Sequence, residues 1–306
     1  MSTDRRRDTV LVVTSLEDVT ADLVIAALDG RGVPVVRADP ADIGAGLGFA
    51  ARIGGGVTAW DGVLRTTSRA LGLGRVGSVY HRRPGPWRFD SLEPRVREFA
   101  IREARPACRG CWRTLYKPAR LQVAAELGFA VPATLITNEP AEAKSFAVDN
   151  APVVYKTFRG VPPEGGHAGA IWTQRIQAGD LDASIGVTAH LYQAEIDKAA
   201  DVRITVVGHR VFATAITTPD GRLDWRASDW DQLICEPFPV PADLRGLLRS
   251  HLDCFGLEFG CFDLALDHAG KLWFIEMNPN GQWGFLPDFE AIADAFAALL
   301  QAGCDP

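Results

Sequence analysis

Near the C-terminal end of the 306-residue chain, two short apolar segments flank a polar turn, and this pair limits the possible folds more than anything else in the sequence. Phe259–Leu266 and Leu272–Met277 have the length and composition of strands, and Asp267–Gly270 between them favours a tight turn. A similar pattern covers Arg203–Val207 and Arg210–Ile216. The last third of the chain is therefore predicted to form an antiparallel sheet built from hairpins.

The register of the C-terminal hairpin decides which side chains share a face. We expect the hairpin to close with Leu266 opposite Lys271. In that register Asp263 faces Phe274, and Glu276 lies diagonally next to Asp263 on the same side of the sheet.

Two carboxylates and an amide on one face of this hairpin predict a metal site. Glu276 and Asn278 are two residues apart in a strand, so both share the face of Asp263. Like charges so close are costly unless a cation lies between them. Oxygen ligands of this kind suit Mg²⁺, which keeps positions for phosphate oxygens and water. The alternative, a solvated edge strand, fits poorly with the apolar neighbours in the hairpin.

Two lysines precede this hairpin in segments that favour phosphate binding. Lys156 lies inside the apolar strand segment Pro152–Phe158, and Lys117 begins a helix–strand unit. A lysine in an apolar strand is costly unless its ammonium reaches an anion. Taken alone, either side chain could extend to the surface. Together with the predicted metal site and the glycine-rich loop over 159–170, the two lysines indicate phosphate binding.

Arg203 is a further candidate cation. It lies near the start of the strand segment Asp201–Gly208, among β-branched residues. A planar guanidinium in such a position can hold a phosphoryl or acyl-phosphate oxygen. The alternative is an ion pair with Asp197 or Asp201, and the sequence leaves both open.

The first half of the chain has the pattern of a small doubly wound α/β lobe. Residues 10–14 are an apolar run typical of a buried parallel strand, a helix follows from Asp18 to Leu28, and Val33–Val36 forms the second strand. A further helix is predicted over 91–105. In the next unit, a helix over Leu121–Leu127 ends at Gly128, and Asn138 is the predicted N-cap of the helix after it.

Composition and missing motifs exclude several classes of protein. A formal net charge of −6 gives no electrostatic reason to expect a nucleic-acid partner. No apolar run approaches the roughly 20 residues of a membrane helix, and no signal peptide is recognisable, so we expect a cytoplasmic protein. Cys108 and Cys111 form an isolated C-x-x-C that is interpreted as reduced thiols. Neither a P-loop nor a dinucleotide-binding glycine motif is present.

Taken in order, these residues resemble the ATP-grasp superfamily. The residues that carry the resemblance are Lys117, Lys156, Gln193 to Ile196, Asp201-Val202-Arg203 with Val207-Gly208, and Asp263 with Glu276-Met277-Asn278-Pro279-Asn280. Within that superfamily the chain is similar to the maturases of ribosomally made peptides, the graspetide or microviridin-type ligases. This narrower resemblance rests on Arg82-Arg83-Pro84, on Val131-Pro132-Ala133-Thr134-Leu135-Ile136-Thr137-Asn138, on Asp224-Trp225-Arg226, and on Asn278-Pro279-Asn280-Gly281-Gln282-Trp283.

The resemblance implies a fold and a set of roles. It implies an α/β (α+β) ATP-grasp fold with an N-terminal doubly wound lobe over 1–112, a small central lobe over 113–192 and a C-terminal antiparallel-sheet lobe over 193–306. The cofactors implied are ATP and Mg²⁺. The implied nucleotide contacts are Lys117, Lys156, Gln193, Glu195 and Ile196; the metal ligands are Asp263, Glu276 and Asn278; and the reacting groups are contacted by Lys198, Arg203 and Arg226.

The implied reaction joins side chains within one peptide. A carboxylate receives the γ-phosphate of ATP, and a Ser or Thr hydroxyl or a Lys amine of the same peptide attacks the acyl phosphate. The implied partners are a ribosomal precursor peptide, with leader and core, and a second copy of the chain in a homodimer. The sequence leaves two alternatives: an ATP-grasp ligase that adds an amino acid to a peptide or protein terminus, and a nucleotide-binding module without chemistry.

Overall fold

The computed structural model describes residues 6–43, 46–54, 57–86, 89, 93–94, 97, 117–157, 172–187 and 190–304. The helix predicted over 91–105, the glycine-rich loop over 159–170 and the Cys108–Cys111 pair lie largely or wholly outside these residues. The chain divides into two compact units, one formed by residues 1–111 and 282–306 and the other by residues 112–281.

The first unit contains a three-stranded parallel sheet. Its strands are β1 (Thr9–Val13), β2 (Val35–Ala38) and β6 (Val76–His81), in the order β2-β1-β6. Helix α1 (Val19–Asp29) connects β1 to β2 and begins at the N-cap Asp18, whose carboxylate accepts a hydrogen bond from the Ala21 N–H at 3.3 Å. This is the predicted strand–helix–strand start, because a continuous apolar run fits a central strand that neighbours cover.

The first unit also holds a small antiparallel meander and the last helix of the chain. The meander consists of β3 (Gly48–Gly54), β4 (Val57–Arg65) and β5 (Ala70–Gly72). Helix α5 (Phe289–Ala302) packs against α1 and β6. The predicted third lobe, 193–306, includes this helix, whereas its contacts group it with the first unit. The three predicted lobes themselves stay a prediction.

The second unit contains two antiparallel sheets. The small sheet has the order β7-β10-β8-β9, and the large sheet has the order β13-β12-β11-β14-β15. Their strands are β7 (Thr134–Thr137), β8 (Val153–Lys156), β9 (Gln174–Ile176), β10 (His190–Ala194), β11 (Lys198–Val207), β12 (Arg210–Thr217), β13 (Ile234–Pro237), β14 (Phe259–Asp267) and β15 (Leu272–Asn278).

Among the described residues of this unit, three helices cover these sheets, and their ends differ in part from the prediction. They are α2 (Lys117–Leu127), α3 (Pro140–Asp149) and α4 (Ala242–Asp253). Gly128 follows α2 with φ +96°, a conformation that favours glycine, as predicted. The prediction that Asn138 caps α3 is wrong: the N-cap is Glu139, whose N–H is bound by the Thr137 hydroxyl at 2.9 Å.

The large sheet has one apolar and one polar face. Its apolar face packs against α2 and α4 in a core that includes Phe262, Leu264, Phe274 and Met277. Arg203, Asp263 and Glu276 occupy the neighbouring positions along the strands, on the opposite face.

The register predicted for the C-terminal hairpin is wrong. The turn closes one residue later than predicted, so Leu266 pairs with Leu272, and a bulge between Asp263 and Leu264 then brings Asp263 directly opposite Glu276. The bulge lets Phe274 and Met277, three residues apart, both enter the core while Glu276 stays on the polar face. The predicted proximity of Asp263 and Glu276 is confirmed, and it is closer than the diagonal arrangement implied.

In the part of the chain that the structure describes, no helix is both long and apolar enough to cross a membrane.

Candidate functional site

The carboxylate pair lies at the centre of the polar face of the large sheet. Asp263 on β14 and Glu276 on β15 are opposite each other, and Asn278 follows two residues later on the same face, opposite Cys261. The Asn278 Oδ1 accepts the Asn280 N–H at 2.9 Å, which orients the amide oxygen within its turn. The three predicted metal ligands are therefore neighbours on one surface.

Arg203 pairs with Asp263, which was not among the partners considered from the sequence. Its Nε and Nη2 donate to the two Asp263 carboxylate oxygens at 2.9 and 2.8 Å. Its guanidinium carbon also lies 4.9 Å from the centre of the Trp225 ring. Burial lowers the pKa of Arg203, but the Asp263 carboxylate, together with Cys261 and Glu276, outweighs it and holds the pKa above its ordinary value.

Two further cations contact Glu276. The Lys117 Nζ lies 3.3 Å from one carboxylate oxygen, and the Arg226 Nη1 lies 3.2 Å from the other. Burial raises the pKa of Glu276, but the charges of these two residues, with those of Arg120 and Lys156, outweigh it and hold the pKa well below its usual range. Glu276 is therefore ionised across the physiological pH range.

Arg226 is fixed in place by its neighbour Asp224. The Arg226 Nε and Nη2 donate to the two Asp224 oxygens at 2.8 and 2.9 Å. Burial opposes the charge on Arg226, but Asp224 and Glu276 raise its pKa above the ordinary value. Its side chain is 35% exposed, so this guanidinium can meet a substrate from solvent while staying anchored.

Lys198 lies beside Asp201 on β11. Its Nζ donates to the Asp201 carboxylate at 2.6 Å and to the Leu223 carbonyl at 2.7 Å. Burial raises the pKa of Asp201 in spite of this partner. Lys198 also lines a cleft of about 160 Å³ together with Glu195 and Ile196, the residues predicted to meet adenine.

Glu195 uses its side chain for a structural contact. Its two carboxylate oxygens accept hydrogen bonds from Arg175 at 2.7 Å each, and its N–H donates to the Pro152 carbonyl at 2.8 Å. The predicted adenine contact relied on the backbone near Glu195 and Ile196, so it stays a prediction.

Lys156 lies in the small sheet, and its side chain is partly buried. Its Nζ donates to the Gln193 Oε1 at 2.7 Å. Burial lowers the pKa of Lys156 to about 8, and Glu276 only partly offsets this effect. An anion close to the Lys156 ammonium would raise this pKa again.

The charges around the carboxylate pair leave a positive excess. Six cationic side chains interact electrostatically with four carboxylates in this unit. The cations are Lys117, Arg120, Lys156, Lys198, Arg203 and Arg226, and the carboxylates are Asp201, Asp224, Asp263 and Glu276; we call these ten residues the charge cluster. With all of their side chains charged, these ten residues sum to a net charge of +2, six positive and four negative, which suits a polyanionic ligand.

Three members of the charge cluster were not predicted as site residues from the sequence. Arg120, on the turn of α2 that follows Lys117, donates to the Met277 carbonyl. Asp201 and Asp224 each stand two residues before an arginine of the site, which was the signal available for them.

The donor chemistry fits a magnesium site. Asp263, Glu276 and Asn278 offer only oxygen donors, the hard ligands that Mg²⁺ prefers. Among the described residues no group of three or more His, Cys, Asp or Glu side chains is arranged for a metal ion. A site built on two carboxylates and one amide therefore depends on further oxygens from a ligand, as phosphates supply.

A wider cavity of about 690 Å³ lies in the first unit, between α1, β2 and the turn that joins β4 to β5. None of the predicted site residues lines it. The concentration of charge in the second unit, and not cavity size, identifies the candidate site.

Comparison with known proteins gives structural relatives only. No protein-family model matches the chain, and no curated protein matches it. The chain is similar to a RiPP-associated ATP-grasp ligase of Chryseobacterium gregarium, solved with ADP and a leader and core peptide, where RiPP denotes a ribosomally made and modified peptide. The two share 26% identity over 96% of each chain, with a TM-score of 0.83.

Two further solved structures have the same fold. The macrocyclase MdnC of Microcystis aeruginosa MRC, bound with the precursor peptide MdnA, shares 27% identity over 95% of this chain and 99% of its own, with a TM-score of 0.82. The ATP-grasp ligase PsnB, complexed with a variant of its minimal precursor, Mg and ADP, has a TM-score of 0.75 at 20% identity and so indicates the fold alone. The α/β ATP-grasp fold and the resemblance to RiPP maturases that the sequence predicted are confirmed.

Proposed function

We propose that this chain, an ATP-grasp ligase by fold and by resemblance, uses ATP and Mg²⁺ to cross-link side chains within a ribosomal precursor peptide. The observation that carries the proposal is the charge cluster, in which an opposed carboxylate pair lies among six cations. Such a cluster binds a nucleoside triphosphate with its metal and leaves one arginine, Arg226, for the second substrate.

The roles proposed within the cluster follow from charge and exposure. Lys117, Lys156 and Lys198 hold the phosphates, because each ammonium is a compact donor of positive charge. Asp263, Glu276 and Asn278 would hold Mg²⁺, which, when bound, neutralises phosphate charge and polarises the γ-phosphate. The backbone near Glu195 and Ile196, together with Gln193, is the proposed adenine contact.

The two arginines are proposed to act on the peptide and the transferred group. A carboxylate oxygen of a peptide Asp or Glu attacks the γ-phosphorus, and ADP leaves, so an acyl phosphate forms. A Ser or Thr hydroxyl or a Lys amine of the same peptide then attacks the acyl carbon and loses its proton, and phosphate leaves. Arg226 holds the substrate carboxylate, and Arg203 stabilises the developing charge on the reacting oxygens.

The partner proposed from the comparisons is a peptide with a leader and a core segment, as in the complexes of the relatives. A homodimer and a cytoplasmic location stay predictions.

The test is mass spectrometry of the precursor-like peptide encoded beside this chain's gene, incubated with protein, ATP and Mg²⁺. Each new ester or amide bond removes one water from the peptide, whereas addition of an amino acid increases its mass. We expect ATP-dependent loss of water that disappears in Glu276→Ala. It should persist in Glu258→Ala, which removes an exposed surface carboxylate of this unit.

An unchanged peptide in the presence of bound ATP would contradict the proposal. It would favour either another acceptor or a module that binds nucleotide without chemistry.

A further inference from the structure

One face of the small sheet carries a line of three polar side chains. Thr134 on β7 lies directly opposite Gln193 on β10, and Lys156 on β8 lies opposite Leu191, two residues before Gln193. Opposed residues share a face and positions two apart share a face, so Thr134, Gln193 and Lys156 are on one surface. The other face packs Val153 and Tyr192 against α3 in an apolar core.

The three side chains form a continuous chain of hydrogen bonds. The Lys156 Nζ donates to the Gln193 Oε1 at 2.7 Å, and the Gln193 Nε2 donates to the Thr134 Oγ1 at 2.9 Å. The Thr134 hydroxyl in turn donates to the Pro132 carbonyl at 2.8 Å. Gln193 is 1% exposed, so water offers its amide no alternative partners.

The direction of this chain is set at its far end. A carbonyl oxygen can only accept, so the Thr134 proton is committed to Pro132 and its oxygen must accept from Gln193. An amide has one accepting end and one donating end. With the donating end bound to Thr134, the accepting end faces Lys156, which is the orientation that an ammonium requires.

We propose that Thr134 is a positioning residue for nucleotide binding, whose hydroxyl orients the Gln193 amide so that it holds the Lys156 ammonium within the charge cluster. The proposal rests on the proposed function, since it takes Lys156 as a phosphate-binding lysine. Thr134 itself needs no contact with the nucleotide.

The charges around Lys156 make the orientation of the Gln193 amide important. Glu276 on β15 attracts its ammonium, while Lys117 on α2, Lys198 on β11 and Arg226 repel it. In a partly buried site with three repelling cations, the Lys156 ammonium needs the Gln193 amide oxygen as an acceptor. An amide turned the other way would present its N–H groups to the ammonium and add a fourth unfavourable interaction.

The chain offers a matched control on the same strand. Thr137 on β7 is three residues from Thr134 and lies on the opposite face, where its hydroxyl accepts the Glu139 N–H at 2.9 Å. Thr137→Val therefore removes the same hydroxyl from the same strand without touching the Gln193 amide. Thr134→Ser is the second control, because it keeps the hydroxyl and removes only the methyl group.

The first experiment is calorimetric titration of the full chain with AMPPNP and Mg²⁺. We expect Thr134→Val to weaken binding about tenfold, as loss of a buried hydrogen-bond partner does. Thr134→Ser and Thr137→Val should stay within about twofold of the unmodified chain. Unaltered affinity in Thr134→Val, or equal losses in Thr134→Val and Thr134→Ser, would overturn the proposal.

The second experiment needs no nucleotide and follows the Lys156 ammonium by NMR of ¹³Cε-labelled lysine. The chain has five lysines, and Lys156→Arg identifies the signal. Burial already lowers the pKa of Lys156 to about 8, and Thr134→Val should lower it further because the accepting oxygen is no longer held. In a Gln193→Glu background both carboxylate oxygens accept, so Thr134→Val should no longer move that pKa.

The two experiments separate the two proposals. Failure of the unmodified chain to bind AMPPNP would contradict the proposed function while the NMR titration still tests the hydrogen-bond chain. An identical Lys156 titration in Thr134→Val and the unmodified chain would contradict the positioning role even if nucleotide binds normally.

Discussion

At the scale of single residues, Arg226 is the cation of the cluster best placed to meet a second substrate. Asp224 anchors it, and its side chain is 35% exposed. We expect Arg226→Ala to leave AMPPNP affinity nearly unchanged and to slow ligation about 100-fold, the usual effect of losing a donor to a developing charge. Calorimetry and mass spectrometry measure the two effects separately.

The control for Arg226 is Arg210→Ala, which removes an exposed arginine at the turn between β11 and β12. This variant should change neither affinity nor ligation. If Arg226→Ala loses nucleotide affinity instead of ligation, the arginine belongs to the phosphate site and its assignment to the peptide carboxylate is wrong.

Lys156 makes nucleotide binding depend on pH. Burial lowers its pKa from 10.5 to about 8, so the ligand-free protein loses this charge as the pH rises through that value. Phosphates bind the protonated form, so binding above pH 8 must take up a proton and the affinity for AMPPNP should fall, by up to about tenfold per pH unit. Lys156→Arg keeps its charge and should remove this fall; an equal fall in both would assign the effect to another group.

The site residues divide into those that the sequence could identify and those that it could not. Asp263, Glu276 and Asn278 could be placed together because a hairpin is local and its strands alternate faces. The partner of Arg203 could not be predicted, since Asp263 reaches it only through the pairing of β11 with β14, sixty residues apart in sequence. Long-range strand pairing leaves no local pattern.

At the scale of elements, the link between α2 and β15 holds two parts of the site together. Lys117, the first residue of α2, contacts Glu276, and Arg120, on the next turn, donates to the Met277 carbonyl. His251 on α4 meets the Arg120 carbonyl at 3.1 Å, so a third element joins this contact. The position of the phosphate lysine is therefore coupled to the strand that carries the metal ligands.

This link predicts a loss of stability when Arg120 is replaced. Arg120→Met keeps the length of the side chain but leaves the Met277 carbonyl without this donor, so the free energy of unfolding should fall by about 2 kcal/mol. Urea denaturation measures it. Arg245→Met, on an exposed face of α4, should change stability by less than about 0.5 kcal/mol. Equal values for both variants would mean that the Arg120 contact contributes nothing.

The secondary-structure elements, like the site residues, could be predicted only where local sequence determines them. The end of α2 at Gly128 was predictable because only a local backbone conformation is involved. The bulge in β15 was not predictable, because it depends on both Phe274 and Met277 packing into a core made with α2 and α4. Tertiary packing accounts for the bulge. The pairing of Leu266 with Leu272 follows instead from the turn, where Gly270 has φ +83°, a conformation that favours glycine.

At the scale of the whole molecule, the chain leaves the first unit, builds the second and returns. The return begins just after the phrase Asn278-Pro279-Asn280-Gly281, so one short motif ends the second unit and begins the last segment of the first. Trp283 and Phe296 in that segment stack with ring centres 5.4 Å apart, and Phe296 meets Tyr80 of β6 at 4.9 Å. The first unit is thus not continuous in sequence.

This path predicts that residues 1–111 alone do not fold. Without residues 282–306 they lose α5, whose residues Ile292, Phe296 and Ala297 are buried, and Tyr80 and α1 lose the surface that covers them. A small lobe cannot replace that much apolar burial, so circular dichroism of the isolated segment should show no cooperative thermal transition. A version with residues 282–306 fused after residue 111 through a flexible linker should restore the transition, because the missing helix is then supplied in the same chain. Cooperative unfolding of residues 1–111 without the fusion would show that α5 is not a required part of the core of this unit.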